Sequence, residues 1–548
     1  MAKSIKIAVS ALIALFTCAL CALALVACGN NSGSTNPDIV QTSYWDDSNK
    51  LSIAPAGETY ESVALMWDKD SGEYPTYEIY QDGQKIDSTD KLYYVAENLK
   101  AETSYKFEVK ADGKSIGTVD AKTSKKDKVL TILELGAVAD GTTKNTQAIQ
   151  RAIDACPENG TVLVPQGTFL TGALDLKNNM TLYLSEGATL KGSTDANDYL
   201  DANGNMVLSR FEGWELQCYR SLINVGKTDH NAAYTTQNVN IRGKGTICGG
   251  GAALGEVTGG LKNKIQEERD STRKRGRLIS FNNSQNVNLS GVTVTQPPCW
   301  TIHAVYSDRV SCYDLTISTS GIANGDGMDP DSSTNMAIFG CKFATGDDCV
   351  AIKSGKNPEG NEVNRPTKFI RIQSCEILRP EGLDCSGWGL AIGSEMSGGV
   401  EDVRITDTDI VGTRFGVEVK TPAARGGYVK GLYVKDCKLD GVYIHNSGIN
   451  YNDDGESASS VPVLEDFRFE GVQISGYDYQ KKEVRDAIYI EGFEGQQNYV
   501  KNILLKNVIV GPPSTNVVFK YCSDIKRENV KTADGGEPKY TFNHCENY

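Results

Sequence analysis

Histidine is scarce in this chain, with four residues among 548. A centre built on several imidazole ligands is therefore disfavoured. Basic charge is not in excess: 56 Lys and Arg face 70 Asp and Glu, for a net charge of -14. That balance speaks against nucleic acid as a partner, because phosphate binding needs clustered cations. Outside the N-terminal leader no Cys-x-x-Cys pair occurs, which removes the usual zinc spacing. No apolar run long enough to cross a bilayer follows residue 27. Proline is sparse at 16 residues, whereas glycine is plentiful at 55. A hydrophobic share of 39% and a charged share of 23% fit a folded chain, long enough for several domains.

The first segment reads as processing rather than fold. Lys3 and Lys6 precede an apolar run from Ile7 to Ala27, which ends in Leu25-Val26-Ala27-Cys28. This resembles a bacterial lipobox, in which the chain is cut before the Cys and that Cys carries lipid. Residues 1–27 are then a lipoprotein leader, Cys28 the lipidated residue and 28–40 a polar tether. The expected location is extracytoplasmic, anchored to a bacterial membrane through Cys28. Of the remaining cysteines, Cys341, Cys375 and Cys437 fall in one register and read as small buried side chains. Cys522 and Cys545 are close enough in sequence to pair.

Residues 41–124 read as short strands and turns. Val63–Trp67 alternates, and Tyr77–Tyr80 runs into a turn at Asp82-Gly83, a hairpin signal. Tyr105, shortly after Leu99, has the offset of a tyrosine corner, and Trp67 fits a sandwich core. The stretch resembles a fibronectin type III module, which implies a spacer, with Lys125–Lys128 as the hinge.

From Val129 to the end one pattern recurs: a polar residue followed by apolar residues at every second position. Asn238-Val239-Asn240-Ile241, Asn286-Val287-Asn288-Leu289, Asn335-Met336-Ala337-Ile338 and Asp402-Val403-Arg404-Ile405 are examples, as are the segments led by Phe369, Gly431, Asp466 and Asn502. From Leu289 onward, with Cys312 as one anchor, the steps run from 23 to 36 residues. Alternating strands at such a period, with variable insertions, suit the coils of a parallel β-helix. Ala148, Ile149, Ala152 and Ile153 have helical spacing and predict a short amphipathic cap on the open end.

Three carboxylates stand out. Asp326 lies in Asn324-Gly325-Asp326-Gly327-Met328-Asp329, and Asp347 and Asp348 lie in Gly346-Asp347-Asp348-Cys349. The step from Asp326 to Asp347 is close to one coil, which would stack these acids on one face. Carboxylates held together push one pKa up, giving an acid beside ionised bases, as glycoside hydrolysis requires. The spacing alone equally suits plain turn residues of a solenoid.

Longer motifs then point to a family. Gly325–Ser332, Thr345–Gly355 and Gly389–Gly399 resemble the polygalacturonases, glycoside hydrolase family 28, in their bacterial exo-acting branch. Gly136–Gly141, Gly187–Leu190, Arg210–Gly213 and Trp300–His303 extend the similarity in the same order. The resemblance implies an all-β protein: a right-handed parallel β-helix of the pectin-lyase-like kind over 129–548, after the fibronectin type III-like β-sandwich. It implies an inverting hydrolase acting on an α-linked galacturonide, with Asp347 as general acid and Asp326 and Asp348 activating water. It implies neither metal nor cofactor. Lys420 would bind substrate, with Glu418, Trp388, His303, Tyr428 and Arg210 bordering the same subsites.

Two departures from the family pattern bear on substrate. Ser386-Gly387-Trp388-Gly389 stands where a Gly-His-Gly supports the acid, so Trp388 offers either a sugar platform or packing. Glu418-Val419-Lys420 stands where the family has Arg-x-Lys. The Arg clamps the uronate carboxylate, which Glu would repel. Either Glu418 points away or pairs with Lys420 or Arg414, or the sugar lacks that carboxylate and is a neutral or amino galacto-configured residue. His445, after Tyr443-Ile444, could replace the missing His, and the preferred reading is a surface residue. A noncatalytic glycan-binding solenoid and a Ca²⁺-dependent pectate lyase are the competing readings. The retained acids argue against both.

Overall fold

The computed structural model describes residues 42–69, 76–259, 274–378, 387–447 and 455–548. The leader 1–27, Cys28 and the tether 28–40 lie outside the described residues.

From Val129 the chain winds into a right-handed parallel β-helix. One sheet of 13 strands runs from Val129–Thr131 to Cys522–Glu528, and a second of 13 from Asp140–Lys144 to Lys531–Thr532. A third sheet of 12 strands runs from Leu174–Leu176 to Lys539–Asn543. The eight segments of the sequence pattern, six of them led by Asn or Asp, all fall in the first sheet. Their leading residues share a left-handed backbone, from Asn238 (φ 57°) through Asp402 (φ 51°) to Asn502 (φ 58°). Asn and Asp tolerate that conformation better than other non-glycine residues. The asparagines also stack from coil to coil: Asn286 donates to Asn238 at 2.9 Å, and Asn238 to Asn179 at 2.6 Å.

The alternate apolar residues point inward and stack in register. Val287, Val310, Met336, Ile370 and Val403 form one such column, each at most 2% exposed. Full burial of such a side chain contributes ~1.5–3 kcal/mol, but no coil can bury its own column without neighbours. The helix Thr146–Ala155 covers the open end with Ala148, Ile149, Ala152 and Ile153 buried. Cys341, Cys375 and Cys437 are buried free thiols, and Cys522 and Cys545 are free as well.

Seven strands before the coils form two antiparallel sheets. Leu51–Glu58, Val63–Trp67 and Tyr93–Ala96 make one, and Tyr77–Gln81, Gln84–Thr89, Ser104–Ala111 and Lys114–Lys122 the other. Trp67, Tyr77, Phe107 and Val109 fill the space between. The Tyr105 hydroxyl accepts the Lys100 N–H at 2.8 Å, fixing the corner. This sandwich seats Ala54, Ala64 and Met66 on Tyr313, Ala337 and Phe339 of the coils. Strand Thr334–Phe339 is consequently buried on both faces.

Candidate active site

The 12-stranded sheet turns every second side chain outward. In strand Met328–Asp331, Met328 enters the core and Asp329 and Asp331 lie on the opposite face. Met328 pairs with Val350 of the next coil. Asp326 and Asp348 therefore each precede their strand by two residues and stand one above the other. The step from Asp326 thus ends on Asp348, where the sequence spacing pointed to Asp347. Gly327 N–H donates to the Asp348 carbonyl at 2.9 Å. A Cβ at Gly327 would come within 2.4 Å of the Cys349 carbonyl oxygen, so only glycine permits this approach.

Asp326 and Asp348 are each 3% exposed, whereas Asp347 is half-buried at the rim. Burial raises Asp326 well above the ordinary carboxylate range, and the charges of Asp329 and Asp347 add to that. Burial also lifts Asp348, to about 6, with Lys420 opposing and Asp347 assisting. Asp329 rises to about 7 by burial, with Lys353 opposing. Asp326 Oδ1, Asp348 Oδ1 and both Asp329 oxygens have no hydrogen-bond donor among the described residues. Such a cluster shares protons as a group instead of holding every charge.

Lys420 closes the downstream side. Its Nζ donates to Asp348 Oδ2 at 2.8 Å and lies 3.9 Å from Glu418 Oε2. Burial opposes the Lys420 charge, but Asp348 and Glu418 hold its pKa above the usual value. His445, one coil on and paired in register with Lys420, bonds Glu418 Oε1 at 2.7 Å. Burial disfavours the Glu418 charge, yet Lys420, His445 and Arg414 together keep its pKa below the ordinary range. Glu418 is thus an internally paired anion. The reading of His445 as a surface residue needs correction: a carboxylate 27 positions earlier in sequence draws it into the site.

Upstream lies a layer that a glycan cannot touch. Arg210 and His303 are both 0% exposed, which corrects their assignment as substrate contacts. Both hold Asp331: Arg210 Nη1 donates to Oδ1 at 2.9 Å, and His303 Nε2 lies 3.2 Å from Oδ2. Burial pushes His303 down to about 4, so its neutral ring donates to Asp331. The Gly355 N–H adds a bond to Asp331 at 3.1 Å. Beside it, Lys353 Nζ sits 3.2 Å from Glu395 and 3.6 Å from Asp329, over the Trp300 ring.

Trp388 follows the acids in the chain's path, its main-chain N–H donating to the Asp347 carbonyl at 3.3 Å. The Arg414 guanidinium covers one face of its ring at 3.9 Å. Tyr428 is not brought in. It opens a strand of the first 13-stranded sheet and packs against Gly399, because the turn at Gly426-Gly427 has already redirected the chain. Sequence reasoning missed Asp329, Asp331, Lys353 and Glu395. The polar alternation in Met328-Asp329-Pro330-Asp331 was the available signal. Beyond His445 the outward face continues as a cavity of about 620 Å³, lined by Phe415, Tyr443, Arg485 and Tyr489. Among the described residues, no group of three or more His, Cys, Asp or Glu is placed to hold a metal ion.

The family model described as glycosyl hydrolases family 28 matches residues 157–516. The "Exo-poly-alpha-D-galacturonosidase" of Dickeya chrysanthemi is 28% identical over 464 residues, covering 71% of this chain and 74% of that protein. The "Probable polygalacturonase" of Vitis vinifera is 33% identical over 314 residues, and the match covers 56% of this chain and 60% of that relative's length. In fold, a family 28 exopolygalacturonase of Yersinia enterocolitica superposes with a TM-score of 0.73 at 22% identity, covering 91% of this chain and 98% of that one.

Proposed function

This chain belongs to glycosyl hydrolases family 28, and from that premise we propose that it is an exo-acting hydrolase releasing α-linked galacturonide from a polysaccharide or oligosaccharide. The observation that carries the reading is the stacking of Asp326 and Asp348 on consecutive coils, with Lys420 bonded to Asp348 at 2.8 Å. The name of the Dickeya relative supports exo action on a galacturonide.

In this mechanism Asp347, half-buried at the rim, protonates the leaving oxygen. Asp348, kept partly ionised by Lys420 despite its burial, takes the proton from a water that Asp326 beside it helps to activate by hydrogen bonding. Attack from the face opposite the leaving group inverts the anomeric carbon. The internal pairing of Glu418 favours a uronate over a neutral or amino sugar, since that carboxylate is already matched by Lys420 and His445.

The test is release of monosaccharide from polygalacturonate, oligogalacturonides, α-galactosides and α-linked amino-galactosides by wild type and Asp347→Asn. Galacturonate release that disappears in the variant, with the inverted anomer seen first by NMR, supports the reading. Release of a neutral or amino sugar alone would overturn it, and unsaturated products absorbing in the ultraviolet would indicate a lyase.

The proposal includes the cell-surface placement. Lipid at Cys28 tethers the chain to a bacterial membrane, and the sandwich over 41–124, a fibronectin type III-like spacer, carries the coils outward. Radiolabelled fatty acid should enter the wild type and not Cys28→Ser.

A further inference from the structure

Resting on the galacturonide reading above, we propose that Arg414 is the residue that recognises the sugar carboxylate. A uronate brings a negative charge into a site already rich in acids, so it needs an uncommitted cation. Three basic side chains border Glu418: Lys420, His445 and Arg414. Lys420 is committed to Asp348 at 2.8 Å, and His445 to Glu418 at 2.7 Å. Arg414 has no hydrogen-bond acceptor among the described residues, and its buried Nε is left unpaired. Its nearest carboxylate, Asp478, lies 3.8 Å from Nε. Asp478 is already occupied: Oδ2 accepts Arg485 Nη1 at 2.8 Å, and Oδ1 accepts the Lys481 N–H at 2.9 Å.

The guanidinium is also held in place. It lies 3.9 Å from the Trp388 ring centroid and 4.7 Å from that of Phe415. The main chain beneath it is clamped by buried Asp440, whose Oδ2 accepts N–H groups of Gly412 at 2.8 Å and Thr413 at 2.6 Å. A flat, fixed fork with free donors suits bidentate binding of a carboxylate, and little ordering entropy remains to be lost. Trp388, whose ring stacks on the fork, is tied to Asp347 through the main chain: its backbone N–H donates to the Asp347 carbonyl at 3.3 Å. The cation missing at position 418 is thereby supplied from the adjoining rim, and Glu418 serves as the inner anion that orients Lys420 and His445.

The experiment compares wild type, Arg414→Gln, Arg414→Lys and the double variant Arg414→Gln/Glu418→Arg on an oligogalacturonide and on its methyl ester, in which the carboxylate charge is absent. A charged hydrogen bond contributes roughly 1.5–3 kcal/mol, or ~10- to ~100-fold. Arg414→Gln should raise KM for the acid by that factor, change kcat less, and leave the ester within about two-fold. Arg414→Lys should recover part of the loss, and the double variant should recover acid binding. Calorimetry in an Asp347→Asn background reads affinity for an ester that is not turned over, and thermal melts establish that each variant is folded. Wild-type cleavage of the acid together with an unchanged KM and acid-to-ester preference in folded Arg414→Gln would overturn the assignment alone. A wild type that cleaves no galacturonide overturns the functional reading and the assignment with it.

Discussion

Asp331 and Asp348 belong to consecutive coils, Asp331 in strand Met328–Asp331 and Asp348 two residues before strand Val350–Ile352, and their surroundings treat them in opposite ways. Asp331 is surrounded by donors: Arg210, His303 and the Gly355 N–H. Burial alone would lift its pKa, but Arg210 and then His303 outweigh that and bring it below the ordinary value. Asp348 is almost as buried, yet among the described residues Lys420 is its one side-chain cation within bonding distance, and Oδ1 has no donor. Its pKa rises to about 6. Burial is common to both, so the number of donors decides. A fully solvated-by-protein carboxylate is fixed as an anion and serves structure, and an under-bonded one can exchange a proton near neutral pH.

The largest expected effect separates the two layers by activity. Asp347→Asn should lower kcat by ~10²–10⁴-fold, while its urea midpoint stays near wild type because the residue is half-buried at the rim. Next in size is Asp331→Ala, which strands the buried Arg210 charge. Removal of one partner of a buried pair costs ~3–5 kcal/mol, so chemical denaturation should show a large loss of stability. A variant as stable as wild type would show that Arg210 finds another anion.

A smaller effect tests the donor count directly. Lys420→Met removes the cation that opposes the rise of Asp348. The acid limb of the kcat/KM profile should then move to higher pH, by about one to three units. An unmoved limb would assign that limb to another group.

The mildest effect concerns stability against pH. Burial lifts Asp329 to about 7, above the ~3.9 of an unfolded chain. The folded state therefore holds this proton more tightly. The resulting stability is complete below pH ~4 and is lost as pH rises through about 7. Asp329→Asn should flatten that part of the profile, measured as urea midpoints between pH 4 and 8.

Much of this was legible in the amino-acid order. The eight repeated segments mark one sheet because each coil needs a left-handed residue at the same place, a need that Asn and Asp meet cheaply in six of them and that Phe369 and Gly431 meet in the other two. The cap helix was visible from its apolar spacing, and the three acids from their glycine-rich motifs. The alignment of Asp326 with Asp348 was not, because register is set by the pairing of Met328 with Val350 and not by distance along the chain. Arg210 and His303 could not be recognised as buried, since Arg210 arrives on a hairpin insertion whose packing has no local signal. The pairing of His445 with Glu418 was not legible because that partner lies one coil earlier, a contact that only the stacking of strands creates.

The parallel register also makes the outer face a graduated ruler. Ala391, Glu418, Tyr443 and Tyr489 occupy one row on successive coils, at a rise of ~4.8 Å fixed by hydrogen bonding between strands. A glycan lying along that row meets one marking per coil, and no mutation of a side chain can move the markings. New tastes for sugars must come from repainting single marks or lengthening the loops beside them, while the interval between marks stays the same.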